Sequence, residues 1–143
     1  MFCRLLHDAS RNTLGGLGHI CRYHLSAINK ELPHLCFSTK DVTSRLADVP
    51  LGPSSRLLVL DIQDFFMAAD HKDLIADVTS HPQAADLRQA LQFLLWEQYA
   101  YSPLLGSYFQ VLKGSGMGTQ LSSDVCDLAF FQRVESLQVA SFF

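Results

Sequence analysis

An α+β fold is what this sequence predicts, and three observations predict it. The run Arg56-Leu57-Leu58-Val59-Leu60-Asp61 is apolar, partly β-branched and ends abruptly in a carboxylate, the pattern of a strand buried on both faces. A second strand-like run, Tyr108-Phe109-Gln110-Val111-Leu112, leads straight into a glycine-rich segment. Around these two runs, several stretches repeat apolar residues at helical spacing, so helices should outnumber strands. A length of 143 residues suits one domain with a real core.

Apolar residues make up 48% of the chain and charged ones 17%, which argues against disorder. No apolar run approaches the roughly 20 residues a membrane span needs. The start, Met-Phe-Cys-Arg-Leu-Leu, lacks the apolar core and cleavage site of a signal peptide, so secretion is not expected. Cys3, Cys21, Cys36 and Cys126 are irregularly spaced, which suits reduced thiols inside a cell. A net charge of −3 without a basic stripe counts against strong nucleic-acid binding by this chain alone.

The first 14 residues indicate no element. After Gly15-Gly16-Leu17-Gly18, the residues Ile20, Tyr23, His24, Ala27, Ile28 and Leu32 recur at helical spacing until Pro33. His19, Cys21 and His24, with His34 and Cys36 beyond the proline, fit no standard metal site, because His19 and Cys21 fall on different helix faces. Ser38 or Thr39 should cap a short helix carrying Val42, Leu46 and Val49 and stopping before Pro50. Leu51 to Ser55 is turn-rich, and the central strand occupies 56–61. Asp70 to Val78 reads as a helix ending near Ser80-His81-Pro82. A second helix, about 84–100, has Leu87, Leu91, Leu94, Leu95 and Gln98 on one side, with Trp96 and Tyr99 completing that face. Tyr108 to Leu112 is a strand, the second arm of a hairpin turning near Gly106. Leu121, Val125, Leu128, Ala129 and Val134 then mark a long helix.

A carboxylate at the end of a buried strand costs desolvation unless it is paired or bound to a metal, which singles out Asp61. The plainer alternative is a strand that simply ends there, with Asp64 or Asp70 starting a helix. Lys113-Gly114-Ser115-Gly116-Met117-Gly118-Thr119 lies between a strand and a helix N-terminus, where backbone N–H groups can approach a phosphate or a base. It is no Walker A loop, since Lys113 precedes the glycines, and the dinucleotide fingerprint needs a different glycine spacing. A tight turn with no ligand remains the alternative for these glycines.

Together the two stretches resemble reverse transcriptases in order, spacing and residue type. Leu58-Val59-Leu60-Asp61-Ile62-Gln63-Asp64-Phe65-Phe66 looks like palm motif A, an apolar strand, a metal-binding Asp and an aromatic five residues later. Gln110 to Thr119, about fifty residues on, is similar to motif B, a Gln and then a glycine loop leading into a helix. The Met-Gly-Thr ending, with Ala129 and Glu135, is closer to cellular retroelements of the Penelope-like kind than to retroviruses. The specific resemblance covers about residues 56 to 137.

The resemblance implies an RNA-directed DNA polymerase chemistry. Two Mg2+ ions activate a primer 3′-hydroxyl and neutralise the triphosphate. Asp61 would be the motif A ligand bridging both metals, and Ile62 would add its backbone carbonyl. Asp64 would lie near the triphosphate. Phe66 would pack under the sugar and exclude a 2′-hydroxyl, selecting deoxynucleotides. Gln110, Gly114, Gly116 and Gly118 would lie against the template base and incoming nucleotide, with Met117 packed beneath the loop. The implied partners are an RNA template, a DNA primer and deoxynucleoside triphosphates, with no membrane, an unassigned oligomeric state and an intracellular, conceivably nuclear, location.

The expected fold is therefore a partial polymerase palm, an antiparallel sheet backed by helices. Residues 1–50 form a helical segment before the palm, and 51–143 the palm itself. The family's third palm motif, an aromatic, a residue and two aspartates, should follow the motif B helix and has no counterpart in the sequence. The reading is thus a palm truncated before that motif, a fragment unable to extend a primer alone. The alternative is a catalytically inactive remnant acting as a nucleic-acid or protein binding module.

Overall fold

Helix α1 (Gly15–Glu31) is the longest element of the computed structural model, which describes residues 13–32, 35–50, 52–56, 59–116 and 118–137. Its buried stripe is Cys21, Leu25 and Ile28, continued by Leu32 just past its end. Those residues fall at i, i+4, i+7 and i+11, one face of a 3.6-residue helix. Of the expected face, Ile28 and Leu32 are buried, whereas Ile20, Tyr23, His24 and Ala27 are exposed. Two neighbouring stripes compete on this helix. The one that wins also carries Asn29, whose buried side-chain amide donates to the Asp124 carbonyl at 3.0 Å.

Helix α2 (Thr39–Ala47) starts at the expected cap, where the Ser38 hydroxyl accepts the Asp41 N–H at 3.2 Å. It buries no residue, and Val42, Leu46 and Val49 are exposed instead of forming a core face. Among the described residues no other helix or strand packs on it.

Helix α3 (His71–Ser80) buries Leu74, Ile75 and Val78 and ends where Pro82 was expected to end it. The helix expected over about 84–100 is divided. Pro82–Leu87 winds as a tighter 3-10 turn with Ala84 fully buried, and α4 covers only Arg88–Trp96. Leu91, Leu94 and Leu95 are buried as expected. Trp96 and Tyr99 are exposed and do not complete the helical face. The Gln98 carbonyl already accepts the Val111 N–H at 2.9 Å, so cross-strand bonding ends the helix there.

Strands β1 (Tyr99–Ser102) and β2 (Ser107–Gln110) form the expected hairpin, antiparallel, with Tyr99 opposite Gln110 and Tyr101 opposite Tyr108. Gly106, at φ +61°, makes the turn. Helix α5 (Ser122–Phe130) follows the glycine loop and widens into a π turn at Phe131–Glu135. Helices α1, α3, α4 and α5 share one core of Leu25, Ile75, Leu91, Leu95, Val125 and Leu128. Each such side chain contributes about 2 kcal/mol by leaving water. Among the described residues the fold is α+β, five α-helices with one two-stranded antiparallel sheet.

The buried central strand is where expectation and structure part. Arg56 and Val59 to Asp61 are in no strand, and Val59 and Leu60 are 81% and 79% exposed. Leu57 and Leu58 lie outside the described residues. A strand requires a neighbour to take its N–H and C=O groups, and among the described residues β1 and β2 pair only with each other. No described helix is long and apolar enough to cross a membrane.

Candidate functional site

Downstream of Asp61 the chain turns tightly. Asp64 takes a left-handed backbone conformation, φ +53°, and its carbonyl accepts the Met67 N–H at 2.8 Å. Aspartate tolerates that region better than most residues. The turn carries Phe65 and Phe66 side by side, their ring centroids 5.3 Å apart, and sets Phe65 edge-on to Phe130 of α5 at 5.9 Å.

The glycine loop docks on this turn through its backbone. Ser115 N–H donates to the Phe66 carbonyl and Gly114 N–H to the Ala69 carbonyl, both at 2.8 Å. Asp70 and Lys113 form an antiparallel bridge, and their side chains make an ion pair at 3.3 Å. Both groups are exposed, so that pair adds at most about 0.5 kcal/mol. Gly114 has φ +76°, and a Cβ there would stand 2.2 Å from the Phe66 carbonyl oxygen and 2.5 Å from Met67 Cα. Only glycine permits this approach.

Beyond Gly114 the loop is stitched to the start of α5. Ser115 is fully buried, its hydroxyl 3.1 Å from Cys126 Sγ. The Ser115 carbonyl accepts Thr119 Oγ1 at 2.9 Å and Ser122 Oγ at 2.9 Å. The Gly116 carbonyl accepts from Thr119 Oγ1 at 3.1 Å and also from Ser122 Oγ. Gly116 and Gly118 have φ of +74° and +97°. Gln98 reaches the loop too, donating to the Ser115 carbonyl at 3.4 Å. Met117, expected beneath the loop, lies outside the described residues.

Phe66 and Gly114 are therefore brought together, and Gly116 is buried one step further along. Gln110 stands apart: its side-chain amide donates to the Trp96 carbonyl at 2.9 Å, at the base of the hairpin. Asp61 is exposed and makes no hydrogen bond or ion pair among the described residues; Ile62 is also exposed. As magnesium ligands, the Asp61 carboxylate and Ile62 carbonyl would supply at most two of the six oxygens that the ion takes. Among the described residues no group of three or more His, Cys, Asp or Glu is gathered for a metal. This donor set does not fit an ion held by the described residues alone.

Groups the sequence reading passed over sit around this junction. His71, at the start of α3, is 6% exposed, with its Nε2 buried and without a hydrogen-bond partner among the described residues, and burial pulls its pKa below the ordinary histidine value. Asp127 on α5 is pushed up to about 6 by burial and by the carboxylates of Asp124 and Glu135. Burial likewise raises the Cys126 thiol to about 11, so it is no nucleophile at neutral pH. A cavity of about 130 Å3 lies between the turn and α5, lined by Ile62, Phe65, Leu74, Cys126 and Phe130. The spacing of Ser115, Ser122 and Cys126 was visible in the sequence, but a loop-to-helix stitch has no period to reveal it. Comparison of the chain with protein-family models, with curated proteins and with solved structures gives no match.

Proposed function

We propose that this chain carries the motif A and motif B portion of an RNA-directed DNA polymerase palm, whose parent adds deoxynucleotides to a primer on an RNA template. The observation that supports it is the docking of the glycine loop on the Phe66 turn, through Ser115 N–H to Phe66 C=O and Gly114 N–H to Ala69 C=O. Two stretches separated by more than forty residues, each singled out in the sequence, are in direct backbone contact. In that arrangement a nucleotide sugar set against Phe66 has the loop backbone beside it. Mg2+ would enter with the triphosphate, Asp61 adding one carboxylate oxygen. The second carboxylate of the metal pair belongs to a motif the 143 residues do not contain, so the chain alone is expected not to extend a primer.

The test titrates the purified chain, with an RNA-template/DNA-primer duplex and Mg2+, against a templated deoxynucleoside triphosphate and its ribonucleotide counterpart. Magnesium-dependent binding that prefers the deoxynucleotide is expected. Asp61→Ala should weaken it about tenfold, or about 1.4 kcal/mol. Phe66→Ala should erase the sugar preference. Absence of magnesium-dependent nucleotide binding, or indifference to Asp61→Ala, overturns the reading. The exposed Val59, Leu60 and hairpin tyrosines favour a second reading, a non-catalytic binding module. Duplex binding that ignores both Asp61→Ala and added nucleotide selects it.

A further inference from the structure

A cavity of about 130 Å3 opens between the turn that carries Phe65 and helix α5. An apolar cavity of about 150 Å3 is large enough to take a benzene molecule. Leu74, Cys126 and Ala129 line it from the core side, each 4% exposed or less. The Cys126 Sγ is already engaged by the Ser115 hydroxyl at 3.1 Å, so toward the cavity this side chain acts as a small apolar group. Phe65 and Phe130 line it as well, edge to face, with their centroids 5.9 Å apart and their planes at 82°. A third ring can join such a pair in the same geometry.

Two charged side chains complete the lining, Asp77 of α3 and Arg133. They hold each other, with Arg133 Nε donating to the Asp77 carboxylate at 2.7 Å, and the same guanidinium reaches Asp73 at 3.4 Å. Two carboxylates against one guanidinium leave this edge net negative, so it repels an anion. A ligand carrying its own charge would lose its water to an almost wholly apolar lining and gain no partner there. Arg133 and Val134 belong to the π turn, in which the Ser136 N–H bonds the Phe131 carbonyl five residues back. Such turns are rare and frequently mark functional sites, and this one forms part of the cavity wall.

We propose that this cavity is a binding site for a small uncharged aromatic molecule, a single ring of benzene size seated against Phe65 and Phe130. A ring held there joins the turn to α5 and steadies both. The site stands on the cavity and its lining, and does not require the chain to bind a nucleotide.

Benzene is the probe, titrated into the full unaltered chain and followed by amide NMR. Saturable shifts are expected at Phe65, Ala129 and Val134, with a melting temperature that rises with benzene concentration. No saturable shift, or shifts centred on the exposed hairpin, overturns the proposal. Benzoate, the same ring with a carboxylate, should bind at least tenfold more weakly, and equal binding overturns the assignment of an uncharged ligand. Two substitutions fill the cavity: Val134→Phe at a half-buried position, and Ala129→Leu on the core side. Each is expected to weaken benzene binding at least tenfold, and undiminished binding to a folded variant overturns the site. Should neither variant fold, the position of the shifts in the unaltered protein decides by itself.

Discussion

Ser115 is fully buried and its N–H, carbonyl and hydroxyl all have partners, whereas Leu60, in the other half of the candidate site, is 79% exposed and belongs to no strand. The difference lies in where each region finds its hydrogen bonds. The glycine loop draws on Thr119, Ser122 and Cys126, a few residues ahead in the chain, and on a turn that reaches back to meet it. The stretch before Asp61 is an apolar strand sequence, and strand bonding comes from a distant segment. A loop that closes on its own helix is specified locally; a strand is specified only with its neighbour.

Substitutions can break that contrast. The largest expected effect is at Gly114, where alanine meets the Phe66 carbonyl oxygen at 2.2 Å in a backbone with φ +76°. Gly114→Ala should cost about 4 kcal/mol in urea unfolding, from strain and overpacking together. Gly52→Ala, with nothing within 4 Å, should cost less than about 0.5 kcal/mol and serves as its control.

Ser122→Ala comes next. It removes the hydroxyl that donates to the Ser115 carbonyl at 2.9 Å in a buried site, and should cost about 2 kcal/mol by the same measurement. Leu60→Ala, in the exposed stretch, should fall within about 0.5 kcal/mol of the original, and a larger loss would show that the stretch is covered in solution.

Asp127 tests the α5 side of the junction through pH. Its folded pKa is raised to about 6 from 3.8, so the fold favours the protonated acid. The resulting stability is fully present below about pH 4 and is lost as pH rises through 6. Asp127→Asn, neutral at every pH, should stabilise the protein by roughly 1 kcal/mol at pH 7, a value discounted for partial exposure, and by almost nothing near pH 4. Thermal unfolding of both proteins across that range would check it. A gain independent of pH would assign the effect to something other than the charge.

The legible features were those with a local cause. The cap at Ser38, the end of α3 before Pro82 and the hairpin turn at Gly106 each follow from one residue type in one backbone role. The contact between Phe66 and Gly114 joins two stretches that the sequence singled out separately. What failed were choices between equivalent surfaces: which stripe of α1 turns inward, and where α4 yields to β1. Trp96 and Tyr99 continue a helical pattern in sequence, but the Val111 N–H claims the Gln98 carbonyl and ends the helix. His71 gave no signal, because a lone histidine after an aspartate is ordinary until burial and an unpaired nitrogen distinguish it.

By itself the sequence determined the α+β class, the main helices, the glycines that must be glycine and the polar residues that could stitch a loop, because each depends on short-range sterics and periodicity. Only the tertiary structure decided that Gly114 lies on Phe66, that His71 is buried, and that Val59 and Leu60 face outward, because those outcomes depend on which distant surface is present to bury a side chain or accept a hydrogen bond.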